Sequence, residues 1–117
     1  MNIRPFAALV AFCMLATPPL TQAADKPSDP QIAHIAYTAG VIDVEAAKLA
    51  ISKSKNKDVL AFAEDMMRDH EAVNVQALGL VKKLNVTPED NDTSKSLSTA
   101  AAVEKAKLAT LDGAAFD

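Results

Sequence analysis

Cysteine is all but missing from this chain of 117 residues, because its one thiol, Cys13, lies inside an N-terminal stretch with the marks of a removable leader. A disulfide framework and a thiol nucleophile are thereby excluded from the mature protein. No lysine or arginine run is present beyond the scattered Lys53, Lys55 and Lys57, which reads as a solvated helix end, and acidic residues outnumber basic ones by 15 to 12. Nucleic acid is not an expected partner. No apolar run approaches the length needed to cross a bilayer, so the mature chain is expected to have no membrane span. Strand-like alternation and β-branched runs are also missing, which leaves helix as the only regular structure on offer.

The leader comes first in what is present. Arg4, an apolar run from Phe6 to Ala16, and then Thr21-Gln22-Ala23 have the order of a bacterial signal peptide with its cleavage site, expected over residues 1–23. Phe12 before Cys13 is too large for lipoprotein processing. The protein is expected in the periplasm or secreted after cleavage near Ala23. Cleavage takes away one basic and no acidic residue, moving the formal charge from −3 to −4 and leaving about 94 residues, enough for one small core.

Residues 24–29 read as a flexible polar tail, and residues 30–117 as one helical domain. Asp29 is the expected cap and Pro30 the first turn of a helix running to about Ser54. After the break SKSKNK, Asn56 caps a second helix with apolar residues at 59, 62, 63, 66, 73, 77, 80, 81 and 84, the spacing of one helical face. A turn-rich loop, NVTPEDND, leads to an Ala-rich third helix capped by Asp92 or Thr93 and ending near Asp112-Gly113. The pattern predicts an all-α antiparallel bundle.

The first helix is apolar around much of its circumference. Ile32, Ile35, Ala39, Ile42, Ala46 and Leu49 form one stripe, Tyr37, Gly40, Val44, Ala47 and Ile51 a second, and His34, Thr38, Glu45, Lys48 and Ser52 a polar side. Such a helix has to touch more than one neighbour, either within a bundle or in an intermolecular contact.

One ionisable group intrudes on the apolar arc of each helix: Asp43, His70 and Glu104. In a hairpin turning at Lys55-Asn56, Asp43 and His70 fall nearly level, and Glu104 lies within about one helical turn of them. The plainest reading is a His and Asp pair that fixes helix register. A sharper one is a divalent metal held by Asp43, His70 and Glu104, since imidazole with carboxylates suits iron, manganese or zinc. A third places copper(I) on Met66, Met67 and His70, although methionine in a helical stripe usually serves packing.

The runs DVEAAKLAISKSKNKDVLAFAEDMMRDHEAVNVQAL and LDGAAFD resemble the secreted bacterial proteins grouped as domain-of-unknown-function family 4142, related to ferritin-like bundles. The likeness rests on Asp43, Leu49-Ala50, Phe62-Ala63, Met66 and Asp69-His70 and spans about Ile32 to Asp117. It implies a four-helix architecture in the cell envelope and no established activity. Two departures matter. The residue three before His70 is Met67, so the Glu-x-x-His of a ferritin-like di-iron centre is not available. The family pattern also runs past the Phe-Asp pair into a fourth helix, which this sequence does not reach, so three helices are expected with the fourth missing.

The functional expectation is therefore an exported binding or envelope-stress component, with no catalytic residues and no cofactor beyond a possible divalent metal. The alternatives are a metal-dependent enzyme using Asp43 and His70, and a structural module that docks through the second apolar face of the first helix. A second copy or another protein is the expected cover for the exposed face of that helix.

Overall fold

The computed structural model describes residues 26–117, so the leader expected over residues 1–23 lies outside the described residues. Three α-helices follow in order, α1 Asp29–Lys53, α2 Lys57–Lys83 and α3 Asp92–Ala109, then a 3-10 turn over Gly113–Ala115. The all-α expectation holds, and among the described residues there is no strand.

Each helix begins where a side chain can accept the unpaired N–H groups of a first turn. At α1 that residue is Ser28, one position earlier than the expected Asp29: its hydroxyl accepts from the Gln31 N–H at 3.4 Å, and its own N–H donates to Gln31 Oε1 at 3.0 Å. Pro30 sits in the first turn, where its missing N–H costs nothing. Asn56 caps α2 as expected, accepting from the Asp58 N–H at 3.0 Å. Asn91 rather than Asp92 or Thr93 caps α3, because Ser94 three residues on completes the reciprocal pair.

The breaks are equally local. Ser54 leaves α1 extended, and its hydroxyl accepts from the Asn56 N–H at 3.0 Å, which sets the short turn into α2. Asn85 ends α2 in the left-handed region with φ 53°, tolerable for asparagine, while the Val86 N–H reaches back to the Val81 carbonyl at 2.9 Å. The third helix stops at Ala109, short of the expected Asp112-Gly113, and Gly113 takes φ 57° to start the 3-10 turn.

Helix α1 is central, with α2 packed along one side of it and α3 along another. Its contact with α2 uses the second apolar stripe: Gly40, Val44 and Ala47 are buried, opposite the buried Ala63. That corrects the expectation that this stripe is free to dock a partner, since small residues there let the two helices approach closely. A Cβ at Gly40 would collide with the Asn74 carboxamide. The polar side of α1 is not a plain solvent face either, because His34, Thr38 and Glu45 turn towards α3. The first stripe is divided: Ile42, Ala46 and Leu49 line a groove against α3, while Ile32 is exposed.

Two polar tethers hold the ends. The Glu89 N–H donates to the Pro30 carbonyl at 3.0 Å and Asn91 Nδ2 to that of Gln31 at 3.3 Å, fixing the α2–α3 loop on the start of α1. At the other end Lys53 Nζ reaches the Ala109 carbonyl and Asp112 Oδ1, each at 3.0 Å, and lies 5.8 Å from the Phe116 ring. Among the described residues no helix is long and apolar enough to cross a membrane.

Candidate functional site

Two of the three intruding residues meet. Asp43 on α1 and His70 on α2 place Oδ2 and Nδ1 3.5 Å apart, as their equal distance from the hairpin turn requires. Both side chains remain partly in water, at 33% exposure for His70 and 42% for Asp43, so the pair lies at the edge of the interface and not in its centre. The opposite edge carries Lys48 and Glu71, 3.3 Å apart. The two polar pairs bracket the buried contact at its edges.

Glu104 is elsewhere. It stands on α3, beside the groove between α3 and α1, and approaches Lys107 one turn further on at 4.0 Å. The loop after α2 carries α3 onto α1 and not onto the His70 side of the hairpin, so the near-level position inferred from residue counts does not become proximity. Among the described residues no three His, Cys, Asp or Glu side chains form a group suited to a metal ion. The contact with Asp43 uses Nδ1 and leaves Nε2 of His70 outside the pair, the arrangement in which a carboxylate orients an imidazole.

A groove of about 490 Å³ runs between α1 and α3. Tyr37, Val41, Ile42 and Leu49 line it from α1, Ala101 and Leu108 from α3. Its depth follows from composition, since an Ala-rich third helix has too little side chain to fill the space against α1. Glu45 on α1 and Lys105 on α3 bridge its rim at 2.9 Å.

A second polar group lies by the groove at the start of α1. His34 Nδ1 is 3.4 Å from the Thr38 hydroxyl and 3.9 Å from Asp90 Oδ1. Hydroxyl, imidazole and carboxylate are the ingredients of a nucleophile relay, but a relay needs one partner on each ring nitrogen. Here both partners approach Nδ1, and Thr38 is simply the next turn of the same helix. The Ser94 hydroxyl donates to Asp90 Oδ1 at 2.9 Å and holds that carboxyl below the usual range, with Lys95 nearby adding to the effect. Asp90 is a cap-stabilising anion. Sequence reading left both His34 and Asp90 outside the candidate site, and only the path of the loop brings them together.

A family model described as a domain of unknown function (DUF4142) matches residues 15–117. Searches of curated proteins and of solved structures returned no match.

Proposed function

The chain belongs to the DUF4142 family, whose description assigns no activity, and from that premise we propose that it is an exported, non-catalytic binding protein of the cell envelope. Its ligand site is the groove between α1 and α3. The observation that carries this reading is the groove itself, about 490 Å³ with an apolar lining and an ion pair at its rim, the usual make-up of a site for a small amphipathic molecule. An acyl chain with a polar head fits that chemistry: the chain lies along Val41, Ala101 and Leu108, and the head meets Glu45, Lys105 or His34. Export rests on the leader pattern of residues 1–23.

Titration with a fluorescent medium-chain fatty acid tests it. Saturable, one-to-one binding displaced by the unlabelled acid, and lost in Leu108→Lys, supports the groove. No saturable binding, or binding that Leu108→Lys leaves unchanged, removes it. Purification after expression with the leader, followed by fractionation and N-terminal sequencing, tests export and cleavage near Ala23.

A second reading is favoured by the 3.5 Å approach of Asp43 to His70 Nδ1. In it Asp43 orients the imidazole, Nε2 ligates a divalent metal, and further donors come from outside the pair. Titration of the wild type and His70→Ala with iron, manganese, zinc and copper decides it: stoichiometric binding lost in the variant supports the site, and no binding to either form withdraws it.

A further inference from the structure

Soft donor atoms are gathered at one place on the hairpin. Of the four methionines in the sequence, Met1 and Met14 fall in the leader stretch, and the other two, Met66 and Met67, are adjacent on α2 one turn before His70. None of these three residues lines the groove between α1 and α3.

Helix geometry makes the three donors converge. Met66 and Met67 project about 100° apart around α2, and His70 projects between those directions, about 40° from Met66 and about 60° from Met67. Residues three and four apart have Cβ atoms about 5–6 Å from each other, and a helical side chain leans over the turn before its own Cα. The imidazole of His70 therefore lies over the turn that carries both thioethers. Asp43 Oδ2 approaches Nδ1 at 3.5 Å, so the nitrogen left to bind an ion is Nε2, at the far end of the ring.

The surroundings leave room for a cation. All three side chains are half-buried. Asp43 is level with His70, so Ala47, one turn further along α1, is level with Met66 and offers only a methyl group there. Arg68 and Lys48, the cations of the two helices at this level, are both engaged. Arg68 is held by Asp65 at 2.7 Å and Asp69 at 3.0 Å, and Lys48 by Glu71 at 3.3 Å. Asp43 behind the imidazole keeps the local charge negative. Packing against Ala47 explains one flexible methionine on the contact line. It does not require a second methionine about 100° away with an imidazole between the two.

Donor softness names the ion. Two neutral thioethers and one imidazole form a sulfur-rich set that suits monovalent copper, whereas harder divalent ions take carboxylate and water oxygens. We propose that Met66, Met67 and Nε2 of His70 form a copper(I) site. The site shares His70 with the divalent-metal reading but does not rest on it, because the thioethers carry the argument and that reading makes no use of them.

The test uses the full chain with Cys13→Ser, so that no thiol competes for the metal. Under anaerobic conditions copper(I) is offered as its bicinchoninate complex and, for weaker binding, as its ferrozine complex. The protein is expected to withdraw one equivalent from at least one of the two. Met66→Leu with Met67→Leu should weaken that uptake at least tenfold, and so should His70→Ala. Leucine keeps the side-chain volume close to that of methionine, and circular dichroism checks the fold of each variant. Silver(I), a redox-inert stand-in, is expected to shift the methyl NMR signals of Met66 and Met67 in the otherwise unaltered protein, which decides the matter if a variant does not fold. Three results overturn the proposal: no copper taken from either chelator; methyl signals that silver(I) leaves in place; or uptake that the leucine changes leave unaltered, which together with a loss in His70→Ala leaves the divalent-metal reading standing alone.

Discussion

The Asn74 carboxamide occupies the space in which Gly40 would carry a Cβ, so α1 and α2 touch at a position where one of them has no side chain. That relationship explains a glycine in the middle of a long helix, where the residue is otherwise unfavourable by about 1 kcal/mol relative to alanine. Gly40→Ala sets this propensity gain against a forced turn of the short Asn74 side chain, an overpacking cost of about 1–3 kcal/mol. Urea denaturation should find the single variant neutral to destabilised, and stabilised by about 1 kcal/mol when Asn74→Ala supplies the background. Gly79, with nothing near its Cβ position, should gain from alanine in either background. Equal stabilisation by Gly40→Ala with and without Asn74 contradicts the close contact.

The Asp43 and His70 pair should contribute little energy. Both side chains are about one-third or more exposed, and exposed ion pairs are worth about 0–1 kcal/mol. A double-mutant cycle over Asp43→Ala and His70→Ala should give a coupling below about 1 kcal/mol. A coupling of about 3 kcal/mol belongs to a buried pair and contradicts the geometry.

At the start of α3, Asn91→Ala removes the acceptor for the Ser94 N–H and should cost about 1 kcal/mol of stability by thermal or chemical denaturation. An unchanged midpoint speaks against Asn91 as the cap.

Asp90 gives this corner a pH dependence. Its carboxyl is held below the usual range first by the Ser94 hydroxyl, so the folded state binds its proton less readily than the unfolded chain. The resulting stability is fully present above the unfolded carboxylate value and is lost as pH falls through the folded one. The stability gap between wild type and Ser94→Ala should therefore narrow on acidification through the carboxylate range and stay constant between pH 6 and 8. A gap that widens in acid reverses the sign and rejects the assignment.

Lys53 fastens the C-terminal segment to the end of α1. Lys53→Ala removes its contacts with the Ala109 carbonyl, Asp112 and the Phe116 ring together. Hydrogen exchange should speed up at the Phe116 and Asp117 amides, which donate to the Gly113 carbonyl, while the amides of α1 and α2 keep their rates. Unchanged exchange at Phe116 removes Lys53 as the tether.

The patterns legible in the sequence are those with short range. Helical spacing and absent strand signals determined three helices, and counting from the Lys55-Asn56 turn determined that Asp43 and His70 meet, because a short hairpin converts residue number directly into height along the axis. Cap positions moved by one or two residues, since Ser28 and Asn91 each win their place through a reciprocal partner three residues on. Loop-directed features were not legible. The connection over residues 84–91 leaves the direction of α3 open, and that direction alone decided that Glu104 faces a groove instead of His70, that His34 meets Asp90, and that Lys53 is a tether and not a solvated cation. Tertiary structure likewise decided which of the two apolar stripes of α1 is covered, because hydrophobicity marks both as fit for burial and only the small residues Gly40, Ala47 and Ala63 allow α2 to settle closely on one of them.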